Sequence, residues 1–87
     1  MKEITFFMMA SCPYCIQAQK WLDELKREHP AYGNIPIKVI DERKERDLAN
    51  QYDYYYVPTF YVDGKKLHEG AATREKIEKV LKQALEG

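Results

Sequence analysis

Apolar positions along this chain follow two rhythms. Ile4-Thr5-Phe6-Phe7-Met8 and Ile35-Pro36-Ile37-Lys38-Val39-Ile40 are short apolar runs bounded by polar or turn residues, which predicts strands. Between them Cys15, Ala18, Leu22 and Leu25 recur at three- and four-residue steps. That spacing predicts a helix from Pro13 to Glu28, with these residues on its inner face and Trp21 beside them in the core. Pro30-Ala31-Tyr32-Gly33-Asn34 is a turn cluster. Pro36 near the start of the second strand points to a sheet edge, because proline cannot donate to a ladder.

Residues 41–52 are polar with charges of both signs, and a solvated helix is expected there. Thr59-Phe60-Tyr61-Val62 and Lys66-Leu67-His68 flank Asp63-Gly64, the strongest hairpin signal in the chain. Thr73 can cap a last helix, with Glu75 in its first turn. Ile77, Val80, Leu81, Ala84 and Leu85 form its apolar stripe. The order is βαβ followed by ββα. It predicts an α/β fold in which a right-handed parallel unit and an antiparallel hairpin share one four-stranded mixed sheet flanked by three helices.

The 87 residues suit one domain, residues 1–87, with a single small core. Formal net charge is zero and the charges are mixed, so nothing suggests a nucleic-acid or anionic-membrane partner. No apolar run approaches the length of a membrane span. Met9-Ala10-Ser11-Cys12 loosely resembles a lipoprotein cleavage site, but the apolar stretch before it is short and Glu3 lies where a basic segment belongs. A cytoplasmic, monomeric protein is expected.

Cys12 and Cys15 are the only cysteines, and they sit where the first strand hands over to the first helix, with Pro13 at a first helical position. A thiol at such a junction has helix N–H groups and the positive end of the helix dipole aimed at it. A second thiol three residues on lies one turn away, within reach of the first sulfur. As a structural staple the pair would close a four-residue loop, worth roughly 2 kcal/mol in the chain-entropy model. As half of a zinc site it would need two further ligands, and His29 and His68 follow no ligand spacing. Copper chaperones also place Cys-x-x-Cys after a first strand, but they need the order βαββαβ. Redox exchange is the leading reading. The alternative from a different class is a soft-metal or iron–sulfur protein using the same two thiolates.

Two separated motifs, Cys12-Pro13-Tyr14-Cys15 and Val57-Pro58-Thr59, in this order of elements, resemble the thioredoxin–glutaredoxin superfamily over nearly the whole chain. The resemblance implies the thioredoxin fold, a redox-active Cys12–Cys15 disulfide with no bound cofactor, and a cis Pro58 packed against that disulfide. Cys-Pro-Tyr-Cys is the usual dithiol glutaredoxin loop. However, glutaredoxins usually carry lysine where this chain has Met9, threonine where it has Tyr56, and Gly-Gly-x-Asp where it has Gly70-Ala71-Ala72-Thr73. The segment 69–76 looks more like small glutaredoxin-like thioredoxins. Thioredoxins in turn bury an aspartate under the disulfide, at a position that corresponds here to Phe6.

On this reading Cys12 is the catalytic nucleophile and Cys15 the resolving thiol. Pro13, Tyr14, Tyr56, Val57 and Pro58 form the substrate-binding surface, with Val57 offering its backbone to an extended substrate strand. No cation is expected beside the cysteines. The implied partners are disulfide-containing proteins and an electron donor, either a flavoenzyme of the thioredoxin-reductase type or glutathione as co-substrate. The run Tyr54-Tyr55-Tyr56 reads as half-buried packing, with a docking surface as the alternative.

Overall fold

A computed structural model describes residues 1–86. Strand β1 (Ile4–Met8) leads to helix α1 (Pro13–Glu28), a 3-10 turn at Pro30–Asn34 and strand β2 (Ile37–Asp41). A one-turn helix α2 (Arg46–Ala49), strands β3 (Thr59–Val62) and β4 (Lys65–Glu69) and helix α3 (Arg74–Glu86) follow. The sheet order is β2-β1-β3-β4, with β1 parallel to β2 and the other pairings antiparallel. The expected architecture is therefore present, and β2 is an edge strand. Pro36 lies just before it and accepts a hydrogen bond from the Ile4 N–H at 2.9 Å.

The alternation of β1 decides which helices cover which face. Ile4 and Phe6 point to one side with Phe60 and Val62, where Ala18, Leu22 and Leu25 of α1 and Ile77, Val80, Leu81 and Ala84 of α3 meet them. Trp21 is half-buried against this core. Phe7 points to the other side with Ile40 and Tyr61, where Ala49 and Leu48 of α2 and the side chains of Tyr52, Tyr54 and Val57 close over them. All four residues read as the inner face of α1 are buried. Thr73 accepts a hydrogen bond from the Lys76 N–H at its Oγ1 (3.1 Å), which caps α3 as expected.

The hairpin turn also follows its sequence. Asp63 and Gly64 have φ of 51° and 80°, the pair of positive values that a two-residue turn of this hand requires. Strand β4 is longer than expected by Lys65 and Glu69, and its register against β3 shifts between Phe60 and Tyr61.

The helix expected over residues 41–52 is largely absent. Asp41 belongs to β2, paired with Met8, and its Oδ1 accepts the Arg43 N–H at 2.9 Å. A side-chain turn of this kind competes with helix. Leu48, Ala49 and Tyr52, all at the end of that segment, are the residues that pack against the core there, so tertiary packing supports a single turn.

Candidate active site

Cys12 is the N-cap residue of α1, with extended backbone (φ −82°, ψ 117°) and Pro13 next to it. Its N–H donates to the Met9 carbonyl at 3.1 Å, and its carbonyl accepts the Ile16 N–H at 3.0 Å. No side chain caps this end of α1, and its first turn holds no acidic residue. The terminal N–H groups and the dipole are thus left to act on whatever charge forms there. The two cysteines are not bonded to one another in this structure. Cys12 is half-buried and Cys15 is 1% exposed.

Burial pushes the Cys15 thiol up to about 12. A hydrogen bond from the Met9 backbone opposes the shift, while the hydrogen bond to Cys12 and the charges of Cys12 and Glu42 add to it. One sulfur is therefore accessible, and the other is held as a buried thiol beside it.

The second motif, Val57-Pro58-Thr59, lies in the segment that leads into β3. The Val57–Pro58 peptide is cis, as the resemblance implies, and Pro58 is fully buried. Thr59 Oγ1 donates to the Tyr56 carbonyl, and the Gly70 N–H donates to the Pro58 carbonyl at 2.8 Å. Neither the N–H nor the C=O of Val57 has a partner among the described residues. Tyr14 is 63% exposed and Tyr56 69% exposed.

The tyrosine run divides between its two readings. Tyr54 stacks on Phe7 (ring centroids 4.7 Å apart) and donates from its hydroxyl to Glu42 Oε1 at 2.9 Å. Burial and that carboxylate together push the Tyr54 hydroxyl well above its usual range. Tyr55 and Tyr56 instead stand exposed.

Sequence reasoning missed the charged side of this region. A groove of about 500 Å3 is lined by Met9 together with Glu42, Arg43, Arg46, Tyr54 and Tyr55. The residue three before Cys12 thus shares a groove with two arginines, although neither cysteine lines it. The arginines come from the β2–α2 turn and α2, which the sequence offers only as a mixed charge run. Arg74, by contrast, lies away from the thiols. It pairs with Glu28 at 2.5 Å, at the end of α1 opposite Cys12. His29 approaches Glu78 and His68 Nε2 meets the Gly70 carbonyl. Among the described residues no three His, Cys, Asp or Glu side chains are grouped to hold a metal ion.

A family model described as "Thioredoxin domain" matches residues 2–82. The chain belongs to the thioredoxin family. It is 31% identical over 85 residues to a "Probable Thioredoxin" of Methanothermobacter thermautotrophicus, spanning 97% of this chain and 96% of that one. It is also 34% identical over 68 residues to "Glutaredoxin 1" of Rickettsia conorii, spanning 77% of this chain and 62% of that one. Among solved structures, oxidised mitochondrial thioredoxin 3 of Saccharomyces cerevisiae superposes with a TM-score of 0.74 at 25% identity, covering 94% of this chain and 77% of that one. The thioredoxin fold and thiol–disulfide oxidoreductase chemistry therefore stand together for this chain. Partners of the family's kind, disulfide-bearing proteins and a reductase, go with that membership. No helix among the described residues is long and apolar enough to cross a membrane.

Proposed function

We propose that this thioredoxin reduces protein disulfides through Cys12 and Cys15 in the cytoplasm, as a monomer and without a bound cofactor. The observation that carries this reading is the asymmetry of the two thiols: Cys12 accessible at the N-cap of α1, Cys15 buried one turn inside. The Cys12 thiolate attacks one sulfur of the substrate disulfide, and the other sulfur leaves as a thiolate that takes up a proton. Cys15 then loses its proton and attacks the Cys12 sulfur, releasing the second substrate thiol and forming the Cys12–Cys15 disulfide. Two electrons pass to the substrate, and a reductase must return them.

The second step also relieves what holds Cys15 protonated. Once Cys12 is tied up in a mixed disulfide it carries no charge, so its two contributions to the raised Cys15 pKa vanish. The attack is intramolecular and so proceeds at high effective concentration. On this reading the exposed Pro13, Tyr14 and Tyr56 line the approach with Pro58 buried behind them, and the unpaired Val57 peptide offers one donor and one acceptor to an extended substrate strand.

Turnover of a protein disulfide such as insulin, followed with a dithiol reductant, tests this reading. Wild type should be active and Cys12→Ser inactive, and equal activity of the two proteins would refute it. A second reading, glutathione-linked exchange of the glutaredoxin kind, is favoured by the Arg43 and Arg46 groove beside Met9.

A further inference from the structure

The segment 53–58 carries the Val57 ledge, yet little apolar burial holds its middle in place, since Tyr55 is 86% and Tyr56 69% exposed. What holds it is polar. Glu69, the last residue of β4, accepts the Tyr55 N–H at 2.6 Å and the Tyr56 N–H at 3.0 Å, both on Oε2. Its other oxygen accepts Lys66 Nζ at 2.7 Å, and the same ammonium donates to the Asp53 carbonyl at 3.1 Å. Tyr61 donates from its hydroxyl to that carbonyl as well, at 2.7 Å. The Lys66 ammonium and the two backbone donors keep Glu69 ionised by drawing its carboxyl down to about 2.

Together with Thr59 and Gly70, these contacts occupy the peptide groups on either side of Val57 and leave the Val57 peptide free. We propose that Glu69, braced by Lys66, is a positioning residue for substrate: it fixes the Tyr55–Tyr56 backbone so that the Val57 N–H and C=O meet an extended substrate strand in register. This rests on the strand-docking reading of Val57. Glu69 touches neither thiol nor substrate. It acts through the ledge, so it governs binding of peptide substrates rather than the attack of Cys12 on a disulfide.

The test uses a short disulfide-bonded peptide, unmodified and N-methylated in turn at each residue flanking its cysteine, which deletes one substrate donor at a time. With wild type, one position should raise KM by about tenfold, the loss of a single hydrogen bond. With Glu69→Ala the unmodified peptide should itself bind about tenfold more weakly, and the methyl group should add nothing further, which is the coupling expected of two groups acting on one contact. Glu69→Gln keeps a carbonyl oxygen for the two N–H groups and should fall between. Lys66→Met, which leaves the carboxylate in place but unbraced, gives the same comparison if Glu69→Ala does not fold. A full methylation penalty surviving in the Glu69 and Lys66 variants would overturn the clamp while leaving the ledge intact. The absence of any penalty in wild type would overturn the ledge and the clamp together.

Discussion

Phe6 and Phe60 face one another across the β1–β3 pair with ring centroids 4.6 Å apart and planes 11° from parallel. Both are fully buried, in the cluster that joins α1 and α3 to the sheet. The side chain of Phe6 thus contributes packing and carries no group that could accept a proton. Among the described groups, Glu42 is the one carboxylate whose charge raises Cys15.

Truncating that stack should therefore act on stability. Phe6→Ala removes a buried ring from between two helices and a sheet, and such changes cost about 3–5 kcal/mol. Urea denaturation with an unchanged m-value would measure it. A loss under about 1 kcal/mol would mean that the surrounding side chains collapse into the space.

The two cysteines should separate cleanly under mutation. Cys15→Ser should still attack disulfides but accumulate as mixed disulfides, visible as mass adducts that dithiothreitol removes. Cys12→Ser should form none, because the remaining thiol is buried and pushed up to about 12. Iodoacetamide labelling of each single variant at neutral pH checks the same assignment, and faster labelling of Cys15 would reverse it.

Most of this was legible in the chain for a local reason. The inner face of α1, the Asp63-Gly64 turn, the Thr73 cap and the Cys12–Cys15 junction depend on residues within a few positions of one another, where periodicity and turn chemistry operate. The polar support of the site was not legible. Glu69 reaches Tyr55 and Tyr56 from 14 and 13 residues away, and Tyr54 reaches Glu42 from 12. These partners are set by the β3–β4 pairing and the β2–α2 turn. Residues 41–52 misled for a related reason: charge alternation resembles a solvated helix whether or not the Asp41 side chain turns the backbone.

Reduced protein should lose stability at alkaline pH through Cys15. Its folded pKa is raised from 9.0 to about 12, mainly by burial. The stabilising contribution is therefore complete below about pH 9 and is lost as pH rises through the folded value, because the unfolded chain releases the proton first. Urea midpoints of reduced wild type and Cys15→Ala, measured from pH 8 to 11, should show wild type falling more steeply above pH 9. Parallel curves would mean that Cys15 ionises as readily in the folded state as in the unfolded one.

The electron donor follows from charge placement. Glutathione carries two carboxylates and an ammonium, and charge-assisted hydrogen bonds to such groups are worth roughly 1.5–3 kcal/mol each. Met9 supplies no cation, Thr73 supplies no anion, and Arg74 is engaged with Glu28 at the end of α1 opposite Cys12. Losing two such contacts weakens recognition by roughly two to four powers of ten. What remains is the groove beside Met9, where Arg43 and Arg46 can meet a carboxylate while Glu42 is occupied by the Tyr54 hydroxyl. Turnover should thus be efficient with a flavoenzyme of the thioredoxin-reductase type and poor with millimolar glutathione, and Arg43→Ala with Arg46→Ala should remove most of the glutathione-linked remainder. A glutathione-coupled assay on a small mixed disulfide decides it. Saturable, efficient turnover that survives loss of both arginines would place the glutathione contacts on residues other than these.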